Sequence, residues 1–115
     1  MPDDPLVVES LEGSQDGRRI LRLIGPLTLA NLFNFQSLLR AEKAPVVIVD
    51  MTAVPYVDSA GIGALMGAHV MRQKSGQQLA LVGVNKRVQD ALEVTRVRQF
   101  FKFYTTIAEA ETAIA

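Results

Sequence analysis

Apolar residues along this chain fall into short blocks, and the spacing within the blocks switches between two periods. Leu6 to Leu11 is a short apolar run with β-branched residues, and Arg19 to Ile24 is a second. Asp16-Gly17 between them is a turn signal, so the pair predicts a β-hairpin, ended by Gly25-Pro26. Leu29, Leu32, Phe33, Leu38 and Leu39 then recur at helical spacing, which predicts a helix capped by Thr28, running to about Ala41 and stopped by Pro45. Val46-Val47-Ile48-Val49, ending at Asp50, is a continuous apolar run of the kind that suits a central strand covered on both sides.

Ile62, Leu65, Met66, His69 and Val70 fall on one stripe of a further helix, ending near Ser75-Gly76. Leu79 to Val82 reads as another buried strand, closed by Gly83. Asn85 can cap a third helix in which Val88, Ala91, Leu92 and Thr95 share a face. Lys102-Phe103-Tyr104 reads as a last strand. Thr106 with Glu109 three residues on makes a capping box for a final helix striped by Ile107, Ala110 and Ile114.

The predicted order is therefore β-β-α-β-α-β-α-β-α, an α/β chain in which strands and helices alternate after the initial hairpin. Such an order gives a small mixed sheet with helices packed on it. At 115 residues the whole chain, 1–115, is expected to be a single domain, and its 49% hydrophobic content is enough for a real core. No internal repeat, linker or low-complexity segment interrupts the pattern.

Charge and composition narrow the function. Lysine and arginine number 12, aspartate and glutamate also 12, so there is no basic excess to attract nucleic acid or anionic lipid. The local clusters Arg18, Arg19, Arg22 and Arg96, Arg98, Lys102 read as solvated faces. With no cysteine, disulfides and thiolate chemistry are excluded. No apolar run approaches the roughly 18 residues of a membrane span. The acidic, proline-containing start, Met1-Pro2-Asp3-Asp4-Pro5, does not resemble a signal peptide, so a cytoplasmic location is expected.

A catalytic set is hard to assemble. His69 is the single histidine, and it stands ten residues beyond Ser59 on what reads as one helix. That is about 15 Å along the axis, far outside the reach of a general base. A core-edge position is the plainer assignment for His69. Asp50 and Asp58 flank one loop but lack a third ligand, so capping and structural roles are expected for them and no metal site. Gly61-Ile62-Gly63 begins like a dinucleotide fingerprint, but Met66 occupies the place of its third glycine, and the phosphate-binding lysine of a P-loop is missing. No cofactor and no enzymatic activity are expected. The glycines are better explained by close packing of a helix start against the sheet, or by exposed backbone N–H groups.

What remains is Asp58-Ser59-Ala60-Gly61. Either Asp58 or Ser59 can be the N-cap of the helix that follows, and a capping role alone accounts for both residue types. A helix start also presents unpaired N–H groups and partial positive charge, so a serine there can carry a phosphate without wrecking the fold.

Val46-Val47-Ile48-Val49-Asp50 followed by Val57-Asp58-Ser59-Ala60-Gly61-Ile62-Gly63-Ala64-Leu65 is similar to the signature of STAS domains. In particular it resembles the bacterial anti-sigma-factor antagonists. The likeness continues through Leu79-Ala80-Leu81-Val82-Gly83 and Leu92-Glu93-Val94-Thr95 into the alanine-rich end. It implies a sheet of four or five strands with helices largely on one face. It also implies that Ser59 is phosphorylated by an anti-sigma factor that is itself a serine kinase, and that a serine phosphatase reverses the modification. The unphosphorylated form would bind that partner and release a sigma factor, through a surface comprising Asp58, Ser59, Ala60, Gly61, Ile62, Gly63 and Thr28. Gly25-Pro26-Leu27-Thr28 departs from the family's Gly-Glu-Leu-Asp-like stretch, with Pro26 and Thr28 replacing the acids. STAS domains also serve in anion transporters and lipid-transport complexes. Without a transporter segment, the resemblance implies a free-standing domain here. An unmodified subunit of a lipid-transport or signalling assembly is therefore the alternative.

Overall fold

The computed structural model describes residues 5–114. Its elements follow the predicted order: β1 (Val7–Glu12), β2 (Arg18–Ile24), α1 (Phe33–Ala41), β3 (Val46–Ala53), α2 (Ser59–Lys74), β4 (Gln78–Val82), α3 (Lys86–Val94), a 3-10 turn (Arg98–Phe100), β5 (Lys102–Tyr104) and α4 (Ile107–Ala113). The five strands lie in sequence order across one sheet; β1 is antiparallel to β2, and the other neighbours are parallel.

That topology places the helices. α1, α2 and α3 each cross from one parallel strand to the next in the same direction, and right-handed crossovers then put all three on one face. α4 follows the last strand and covers the other face. β3 therefore has two buried sides. Val47, Val49 and Met51 join the larger core with Leu21, Leu81, Phe35, Leu65 and Leu92. Val46 and Ile48 join a smaller one with Ile20, Ala80, Val82, Ala110 and Ile114. Burial on both sides is why the strand reads as an unbroken apolar run.

Two predicted stripes are displaced. Thr28 does not cap α1: the helix begins at Phe33, and its N-cap position, Leu32, makes no side-chain cap. Leu27 instead pairs with Val57 as an extended bridge, and Asn31 Oδ1 accepts the Thr28 N–H at 2.8 Å, so the chain turns before it winds. The buried stripe is Leu32, Phe35 and Leu39, while Leu29 and Phe33 are 65% and 67% exposed. In α2 the buried positions are Gly61, Ile62, Ala64, Leu65, Ala68 and Arg72, with Val70 turned to solvent. The seating of Gly61 against Leu27, described below, sets the rotation of this helix.

Arg72 is nearly fully buried, and its guanidinium donates to the Gln78 and Ala44 carbonyls at the lower end of β3 and β4. Burial pushes its pKa down, and the nearby Glu42 charge opposes that shift. His69 is half-buried against the Phe100 and Phe101 rings, the core-edge position expected of it. Thr106 caps α4 by accepting the Glu109 N–H at 3.1 Å.

Candidate functional site

At the C-terminal end of the parallel strands, two segments far apart in sequence are laced together. Leu27 donates its N–H to the Tyr56 carbonyl, and its own carbonyl accepts the Asp58 N–H, both at 3.3 Å. Asp58 is extended and caps α2. Its Oδ1 accepts the Gly61 N–H at 2.8 Å, and its Oδ2 accepts the Leu29 N–H at 3.1 Å. One carboxylate thus satisfies a helix-end amide and holds the neighbouring turn.

With Asp58 capping, Ser59 becomes the first residue of α2. It is exposed, and the hydrogen bonds that hold the junction leave its hydroxyl out. The 16-residue helix behind it directs its free amides and partial positive end here, with no acidic residue in the first turn.

The two glycines do different jobs. A β-carbon at Gly61 would collide with the Leu27 carbonyl oxygen, so only glycine lets the helix start seat on that strand end. At Gly63 a β-carbon would meet nothing within 4 Å. Close packing therefore explains Gly61 and not Gly63, which lies open on the surface beside Ser59. Ala60 is half-buried and packs on the core.

All seven predicted site residues, Asp58, Ser59, Ala60, Gly61, Ile62, Gly63 and Thr28, come together at this end of the sheet. Their exposure differs. Thr28 and Ile62 are buried, so their side chains support the surface and cannot themselves lie on it. The Thr28 hydroxyl is buried, with no hydrogen-bond partner among the described residues. Leu29, whose N–H bonds to Asp58, is instead exposed beside the junction, and Phe33 at the start of α1 is exposed as well; both belonged to the predicted helical spacing. The residues from Leu29 to Leu39 carry two interleaved apolar stripes, and only Asn31, a turn residue between them, hinted at which one faces out.

Asp50 is separate from this cluster. It lies on the α4 face, where it accepts from Thr52 N and Oγ1 at 3.0 and 2.6 Å and pairs with Arg22 at 3.2 Å. Burial pushes its pKa up, but the Thr52 bonds and the Arg22 hydrogen bond and charge outweigh that and hold it below the usual carboxylate value. Both aspartates therefore have structural work, as their positions suggested.

The STAS domain family model matches residues 11–110. The chain belongs to the STAS family. Solved structures agree with this fold. A candidate anti-sigma factor antagonist from Thermotoga maritima superposes with a TM-score of 0.85 at 23% identity, covering 93% of each chain. The anti-sigma factor antagonist SpoIIAA, in its unphosphorylated form, gives 0.76 at 14% identity, covering 94% of this chain and 96% of that one. The phosphorylated form of SpoIIAA from Bacillus gives 0.73 at 13%, covering 95% and 100%. The murine anion transporter Slc26a9 also matches, at 0.76 and 21% identity, but there this STAS domain corresponds to 22% of the longer chain. Among the described residues, no helix is long and apolar enough to cross a membrane.

Proposed function

We propose that this STAS domain is an anti-sigma factor antagonist, a binding switch set by phosphorylation of Ser59. The observation that carries the proposal is the division of labour at the start of α2: Asp58 does the capping, and Ser59 is left exposed at a positively polarised helix end. In its unphosphorylated form the domain binds an anti-sigma factor that is a serine kinase, in the cytoplasm, and so frees a sigma factor. Phosphorylation by that kinase ends the binding, and a serine phosphatase restores it. The contact surface comprises Ser59, the open face at Gly63 and the exposed Leu29 and Phe33, supported from beneath by Thr28, Gly61 and Ile62. A typical interface takes about 800 Å² per partner, more than one loop supplies, and these two segments together extend the area.

A phosphate adds about −1.5 to −2 charge units. A partner surface shaped over a neutral hydroxyl would then have to desolvate a dianion beside Asp58. The test is titration calorimetry against a purified anti-sigma factor serine kinase, with an ATP phosphorylation assay and thermal melts. Ser59→Ala should bind and resist the kinase, while Ser59→Asp should bind about thirtyfold more weakly or worse, the factor that corresponds to roughly 2 kcal/mol. Equal binding by both folded variants would reduce Ser59 to an ordinary helix residue. Binding without any phosphorylation would favour the unmodified assembly subunit, for which the Slc26a9 likeness and the Pro26-Thr28 departure speak.

A further inference from the structure

We infer that Asp58 transmits the state of Ser59 to the adjoining turn, so that a phosphate on Ser59 loosens the tether of Leu29. This deepens the switch just proposed and rests on that reading for the presence of phosphate at Ser59.

The Asp58 carboxylate is divided between two elements. Its bond to the Gly61 N–H is the shorter, at 2.8 Å, and is partly buried where α2 sits on Leu27. Its bond to the Leu29 N–H is longer, at 3.1 Å, and exposed. The rest of the turn is braced without the Asp58 side chain. Asn31 Oδ1 accepts the Thr28 N–H at 2.8 Å, the Thr28 carbonyl accepts the Asn31 N–H at 3.1 Å, and Asn31 Nδ2 donates to the Pro26 carbonyl at 2.7 Å. Leu27 is held by its own ladder to Tyr56 and Asp58. Leu29 is therefore the point in the turn whose backbone depends on the Asp58 side chain.

A phosphate on the next residue places a second anion at the same helix end, where both seek the same few amides. Repulsion is relieved most easily by giving up the bond that is longer and already in contact with water. The Gly61 bond stays, because Gly61 is wedged against Leu27. The Leu29 side chain, 65% exposed, rides on the released amide. Phosphorylation thus frees an exposed apolar residue of the proposed surface as well as adding charge.

The test needs no partner. Phosphoserine is incorporated at position 59 of the full chain during translation, and amide hydrogen exchange is measured by NMR in the modified and unmodified proteins. Leu29 should exchange about tenfold faster or more with the phosphate, the scale of one lost hydrogen bond to a charged acceptor. Thr28, Gly61 and the distant Val88 amide, capped by Asn85, should be unchanged. In Asp58→Asn the side-chain carbonyl can still take the Gly61 amide, but the NH₂ group cannot accept from Leu29. Leu29 should then exchange fast from the start, and phosphoserine should add nothing. Unchanged or slower Leu29 exchange on phosphorylation, or a further acceleration in the Asp58→Asn background, overturns the coupling. Such a failure leaves the binding experiment on Ser59 untouched, and a failure of that experiment leaves this measurement standing.

Discussion

The carbonyl of Leu27 and the hydrogen that stands in place of a side chain at Gly61 decide how α2 meets the sheet. Gly61→Ala forces a methyl group into backbone that is itself held by the Tyr56 ladder, and should destabilise the domain by about 2 kcal/mol or more. Gly63→Ala meets open space in a helix interior and should be neutral or stabilising by up to about 1 kcal/mol. Paired urea melts of the two variants check this, and equal effects would refute the separation of roles. Asp50 allows a second test on the residue scale. Its pKa is lowered in the folded state, so its contribution to stability is fully present above the ordinary value of 3.8 and is lost as pH falls through the lower, folded value. Urea midpoints measured across that acid range should fall less steeply for Asp50→Asn than for the parent chain. Parallel slopes would mean that Arg22 and Thr52 do not hold the carboxylate.

At the scale of elements, α1 shows how little a local pattern says about orientation. Leu29 and Phe33 are four residues apart and Leu32, Phe35 and Leu39 follow the same rules of spacing, so both sets make a credible helical stripe. The Leu27–Val57 bridge and the Asn31 turn use up the residues that would have formed a first turn beginning at Thr28, and they rotate the second set inward. Phe35→Ala should cost about 3–5 kcal/mol, as for other fully buried aromatics. Phe33→Ala should change stability by less than about 0.5 kcal/mol. Reversed magnitudes in thermal melts would place Phe33, and not Phe35, in the core.

Over the whole molecule, the sheet has unequal covers. Three helices shield one face, and α4 shields Ile48, Ala80 and Val82 on the other, with Arg18 donating to the Glu111 carbonyl at its edge. Deleting residues 106–115 should uncover that apolar face. The truncated chain should bind a hydrophobic dye and elute as larger species in gel filtration. A monomer as stable as the full chain would show that α4 is dispensable to the second core.

Periodicity, turn residues and caps are local properties, and they sufficed for the order of the nine main elements, the doubly buried β3, the caps at Asn85 and Thr106, and Ser59 at the head of a helix. Tertiary structure decided which of two stripes on α1 is buried, that α2 turns Val70 outward, and that Thr28 lies beneath the surface. It also decided that Asp58 holds Leu29 as well as Gly61. Each of these depends on Leu27 meeting Val57 and Asp58, some thirty residues away in sequence. Side-chain spacing along one segment carries no information about which distant backbone will occupy its open hydrogen bonds, and those bonds set the rotation of the helices around the candidate site.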